Sequence, residues 1–115
     1  NIFSPSLYAE EPKFSPWMQR HEFEVFHKAM PKNLYPVIIE AKSLLGDGVS
    51  FRALVIEKPS KGFKYTIQFG MSDRQFKAMY SILVNKGYVL LHHQEITLMG
   101  GLSHQATWIM NESGL

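Results

Sequence analysis

The 115-residue chain contains no cysteine. That excludes a disulfide framework, a thiolate metal site and a cysteine nucleophile. No apolar run reaches membrane-spanning length and no signal-peptide pattern is present, so no membrane insertion is expected. Charge is modest: charged residues make up 19 % and the formal net charge is +2. With no Lys/Arg run beside it, this balance gives no footprint for nucleic acid. Serine is present, but never as Ser-x-x-Lys. Gly48-Val49-Ser50 and Gly101-Leu102-Ser103 open like a nucleophile elbow and lack the closing glycine. The glycines sit between strand patterns, which is wrong for a phosphate cradle before a helix. No enzyme activity is expected, and no cofactor.

What is present is an ordinary globular composition, 45 % hydrophobic, organised around Met71 to Met110. Ser72-Asp73-Arg74-Gln75 is a capping-box start. Phe76, Met79, Tyr80, Leu83 and Val84 follow at the spacing of one helix face. Asn85-Lys86-Gly87 ends the helix, with Gly87 available for the left-handed conformation. Tyr88 to Thr97 reads as a strand, Leu98 to Gly101 as a turn and Ser103 to Met110 as a second strand.

The same unit is written twice. At an offset of 53 (71 minus 18), Met18 meets Met71, Phe23 meets Phe76 and Tyr35 meets Tyr88. Gly48 meets Gly101, Ser50 meets Ser103, Ala53 meets Ala106 and Ile56 meets Ile109. An internal repeat is the direct reading. It predicts a single domain over 1–115, with an extended Pro-bearing arm (1–17), unit one (18–58), a connecting loop and strand (59–70) and unit two (71–111). Lys13 to Trp17 matches Thr66 to Gly70 and reads as a candidate edge strand. The expected fold class is α+β: two helix–strand–strand repeats forming an antiparallel sheet, two helices on one face, and a pseudo-twofold axis between the units.

Hairpins symmetric about their glycine turns would place Ile39 opposite Val55, His92 opposite Trp108 and Ile96 opposite His104. That face, with Ala53 and Ala106, is expected to carry the helices. The opposite face would show Glu40, Lys42 and Arg52 in unit one, and His93, Glu95, Gln105 and Thr107 in unit two, as a solvated or partner-facing surface. Trp17, in the arm, is the aromatic best placed for recognition. His92, His104 and Trp108 would line any pocket between the units. Adjacent strand histidines point to opposite faces, and no metal-ligand spacing such as H-E-x-x-H occurs. The unit-two histidines are therefore expected to be structural, with no metal.

Gly87-Tyr88, a strand, Gly100-Gly101 and then Ala106-Thr107-Trp108 resemble a bacterial tandem-repeat module found beside secreted β-lactamase-like serine hydrolases, including fungal polyglycine hydrolases. Unit one follows it more loosely, since Leu34 stands for the glycine and Val55 for the Trp. The resemblance implies an accessory repeat and carries no catalytic residue onto this chain. The chain begins at Asn1 without a Met, which reads as a processed protein or a fragment, and it is expected to be part of a larger protein. Asn111-Glu112-Ser113 fits a glycosylation acceptor, which points to secretion. The expected function is non-catalytic recognition of a protein or glycan. The alternatives are a ligand-binding domain or enzyme with the inter-unit pocket, and a structural domain that forms a homodimer through a sheet edge.

Overall fold

A computed structural model describes residues 13–44 and 48–110. Expectations for residues 1–12, for the 45–47 turn and for Asn111 lie outside the described residues. In chain order the elements are α1 (Arg20–Lys28), β1 (Leu34–Leu44), β2 (Gly48–Glu57), β3 (Tyr65–Met71), α2 (Asp73–Asn85), β4 (Tyr88–Leu98) and β5 (Gly101–Met110). The class is α+β with antiparallel strands. The expected single sheet is replaced by two, β1-β2 and β3-β5-β4.

Local chemistry accounts for the helices. At the start of α2 the Gln75 N–H donates to Ser72 Oγ at 3.1 Å, and the Ser72 N–H donates to Gln75 Oε1 at 3.0 Å. Its exit uses Gly87 at φ +94°, a left-handed conformation that only glycine adopts freely. Helix α1 is shorter than the expected Met18–Met30. It opens with the Gln19 N–H on the Glu22 carboxylate at 2.9 Å and stops at Ala29, two residues before Pro31.

Two cores result. Phe23, Ile39, Ala41, Phe51 and Ala53 form the first, joined by Ile67, Phe69 and Ile96 from the three-stranded sheet. Phe76, Leu83, Ala106 and Trp108 form the second, beneath α2. The arm adds to β2 through isolated bridges Phe14–Leu54 and Met18–Phe51, so Lys13 to Trp17 does lie along the free edge of that strand.

The strand registers correct the expected faces. Ile39 pairs with Ala53, not Val55. In the second hairpin Leu90 pairs with Trp108, His93 with Ala106 and Glu95 with His104. The turn there is the two residues Met99 and Gly100, between the paired Leu98 and Gly101, and a bulge falls between Leu90 and His92. A one-residue difference in register moves every side chain to the other face. His93 and Glu95 therefore join His104 on the side of α2, and Ile96 leaves it for the first core.

The face expected to be solvated in unit two is an internal seam. Gln105 and Thr107 are fully buried. Thr107 Oγ1 donates to the Pro36 carbonyl at 2.9 Å. Gln94 acts as a side-chain extension of the β1 edge: Ala41 N–H donates to its Oε1 at 2.9 Å and its Nε2 donates to Ala41 O at 3.2 Å. Gln105 completes the seam through Gln94 Oε1 and the Gly70 N–H. A polar side chain is satisfied here because the neighbouring strand edge needs partners. Gln94→Leu should cost about 2 kcal/mol by stripping the buried Ala41 amide and carbonyl of their partners. Urea unfolding would show it, and a loss near zero would mean water replaces the amide.

Candidate functional site

The register places a chain of polar groups under the first turns of α2. Asp73 occupies the first helical position, held there by the Ser72 cap. His104 Nε2–H donates to Asp73 Oδ1 at 2.9 Å. A carboxylate only accepts, so the bond sets the His104 tautomer and leaves its Nδ1 with a free lone pair. His93 Nε2 lies 2.8 Å from that Nδ1 and donates to it. Glu95 Oε1 is 3.8 Å from the same nitrogen. The Phe76 ring lies parallel to both imidazoles, with centroids 4.5 Å from His93 and 4.4 Å from His104. Packing thus fixes both rings.

Burial grades across the group. The His104 side chain is 4 % exposed and that of Glu95 51 %, so the cluster opens to solvent on the Glu95 side. Asp73 is held below the usual carboxylate range, first by the hydrogen bond from Lys77 and then by that from His104. His93 is pushed below the ordinary histidine value by burial, and further by neighbouring His104, with Glu95 opposing. A metal could draw on one atom each from His93, Glu95 and His104, which lie within 4.8 Å of one another.

The other expected residues are placed as follows. His92 faces away from this group, paired with Thr107, and its buried Nδ1 has no hydrogen-bond partner. Trp108 is fully buried and donates from Nε1 to Gln68 Oε1 at 2.7 Å. His92, His104 and Trp108 thus do not form one pocket wall. A cleft of about 510 Å³ does lie between the two halves, lined by Arg20, Phe51, Gly70, Ser72, Gln75 and Ser103 among others. Ser50 and Ser103 are buried on strands β2 and β5, not on a strand-to-helix bend.

Trp17, Glu40, Lys42 and Arg52 do converge, on the outer face of β1-β2. Arg52 Nη2 sits 2.8 Å from Glu40 Oε1. Its guanidinium lies 4.5 Å from the Trp17 ring centroid and 4.2 Å from that of Phe14. Lys42 Nζ is 4.4 Å from the Trp17 centroid. Gln105, expected on a binding surface, is in the seam instead. Reading the sequence alone missed Asp73, Gln94 and Phe76 as parts of these arrangements. Asp73 carried a usable signal, an acidic residue directly after a helix cap.

No protein-family model, curated protein or solved structure matches the chain.

Proposed function

We propose that the chain is a non-catalytic recognition module for a protein partner. The observation that carries this reading is the convergence of Trp17, Lys42, Arg52 and Glu40 on one outer face. Tryptophan and arginine are the residue types that dominate binding hot spots, and here the arm and two strands hold them together before any partner arrives. Lys42 and Arg52 both crowd the indole, which leaves less of the ring free for stacking on a sugar and favours a protein over a glycan. The test is capture by the immobilised domain from a native extract. Retention by wild type and His93→Ala, with loss in Trp17→Ala and in Lys42→Glu at unchanged melting temperature, is the expected result. Capture that neither substitution weakens would defeat the reading.

The architecture behind it is proposed to be two tandem helix–strand–strand units about a pseudo-twofold, as in the repeat module that the sequence resembles. Support comes from pairings at the same offset of 53. Met18 bridges Phe51 and Met71 pairs with His104; Phe14 bridges Leu54 and Ile67 pairs with Thr107. The arm would then be the shortened counterpart of β3. The β1-β2 and β4-β5 registers differ by one residue at the turn, Leu44–Gly48 against Leu98–Gly101.

The cleft between the halves favours a second reading, a small-ligand site. Its volume of about 510 Å³ falls within the range of about 300–1,000 Å³ usual for such sites. A small ligand bound there should raise the melting temperature of wild type and not of Ser72→Ala/Gln75→Ala.

A further inference from the structure

The geometry points to a divalent-metal site of the zinc class formed by His93 Nε2, Glu95 and His104 Nδ1, with Asp73 orienting His104 from behind. This reverses the expectation of purely structural histidines, and it stands apart from the recognition face. Four observations on this group lead to it. The three donor side chains present one atom each within 4.8 Å of one another. His104 Nε2–H is already committed to Asp73 Oδ1 at 2.9 Å, so the nitrogen turned toward the group is the one carrying the lone pair. A carboxylate behind a ligating imidazole is the arrangement that fixes tautomer and ring orientation in metal sites and raises the ligand's basicity. Asp73 is itself anchored, by its place at the start of α2 and by Lys77 Nζ at 3.0 Å. Phe76 stacks on both imidazoles, with interplanar angles of 6° and 2°, so little ordering is left for metal binding to impose.

The distances need only a small change. Two imidazole nitrogens that share a tetrahedral zinc at about 2.0–2.1 Å stand roughly 3.3 Å apart. They stand 2.8 Å apart here, bridged by one proton. Metal binding would displace that proton from between the rings to His93 Nδ1, as the neutral imidazole changes tautomer, and open the pair by about half an ångström. The Glu95 oxygen at 3.8 Å from His104 Nδ1 has to close by a similar amount, and its exposed side chain can do so. Two imidazoles and a carboxylate make a borderline donor set that suits zinc and its neighbours over calcium or magnesium, which prefer all-oxygen ligation. Three protein ligands leave a fourth position, on the solvent side, for water or a partner's side chain.

Zinc titration of the chelator-treated protein tests this by calorimetry and melting temperature, with cobalt substitution as the spectroscopic probe. The expected result is one equivalent bound, a higher melting temperature, and a tetrahedral cobalt spectrum. His93→Ala and Glu95→Gln should each abolish the cobalt spectrum. Asp73→Asn should weaken binding by roughly 10–100-fold while keeping stoichiometry. Because Glu95 is half exposed, Glu95→Gln should keep the wild-type circular dichroism, so its result counts even if a histidine variant unfolds. No saturable binding, or zinc binding that Glu95→Gln and His93→Ala leave unchanged, overturns the assignment. So does binding lost only with His21→Ala, since exposed His21 and Glu24 lie 3.9 Å apart and could take zinc at the surface.

Discussion

Phe23→Ala should destabilise the domain by about 3–5 kcal/mol. Phe23 is fully buried and joins three elements at once. Its ring centroid lies 6.0 Å from Phe26 on its own helix, 6.0 Å from Phe51 on β2 and 4.8 Å from Phe69 on β3. It is also the one buried side chain of α1, so its removal leaves that nine-residue helix held only by part-buried Phe26 and the side-chain hydrogen bonds of Arg20 and His27. Isolated helices of that length are marginal in water. The loss should therefore exceed the transfer term for the ring alone, because the surrounding aromatics cannot close the cavity without moving both sheets. Phe76→Ala acts in the same direction, since Phe76 is 7 % exposed. Equilibrium urea unfolding followed by circular dichroism measures both. A loss below about 1 kcal/mol at Phe23 would mean that α1 does not dock on this core.

A pH effect should accompany these cores and can be isolated at His27. Its Nε2 lies 2.9 Å from the Tyr65 hydroxyl, and burial holds its pKa below the ordinary histidine value of 6.5. Burial likewise pushes the Tyr65 hydroxyl up. With the folded pKa of His27 below the unfolded one, the unfolded chain binds more protons as pH falls from 6.5 toward the folded value. The stability that neutral His27 contributes is present above that window and lost through it. Melting temperatures in chelator should fall more steeply below neutrality for wild type than for His27→Gln. Equal slopes would show that His27 titrates as if unfolded.

The helices and strand spans were legible because their signals are local. Ser72 and Gln75 form the box that their spacing implied, and Gly87 takes the positive φ that its place past the last turn required. Register was not legible. A glycine pair marks a turn without saying which residue is its centre, and the bulge between Leu90 and His92 adds one residue with no mark in the pattern. That bulge acts only beyond His92; the two-residue Met99-Gly100 turn sets the register that exchanged His92 for His93 beside His104 and sent Ile96 to the other core. Burial of Gln105 and Thr107 was hidden for a different reason. A polar residue looks solvated by composition, and only the approach of the β1 edge, with Pro36 O and the Ala41 backbone seeking partners, reveals it as interior. Glu40, Lys42 and Arg52 were found together because the register error in that hairpin, Ile39 opposite Ala53 and not Val55, is two residues and leaves every side chain on its expected face.

Trp108 carries the second large effect, and its two substitutions separate packing from polar satisfaction. It is the largest fully buried side chain, set beneath α2 with Tyr80 edge-on at 5.1 Å. Trp108→Ala should cost about 3–5 kcal/mol from the cavity alone. Trp108→Phe keeps most of the apolar volume and removes the indole N–H. Gln68 Oε1 accepts that N–H at 2.7 Å, and Gln68 Nε2 already has no hydrogen-bond partner. After Trp108→Phe both polar atoms of a side chain in a residue only 6 % exposed would be without one. That penalty is about 1–3 kcal/mol, on top of a smaller packing loss. Adding Gln68→Met removes the orphaned amide and should recover most of the penalty, which makes the pair strongly non-additive. A double-mutant cycle by urea unfolding reads this directly. If Gln68→Met instead adds its own loss to that of Trp108→Phe, the indole–amide bond contributes little and the site is governed by volume.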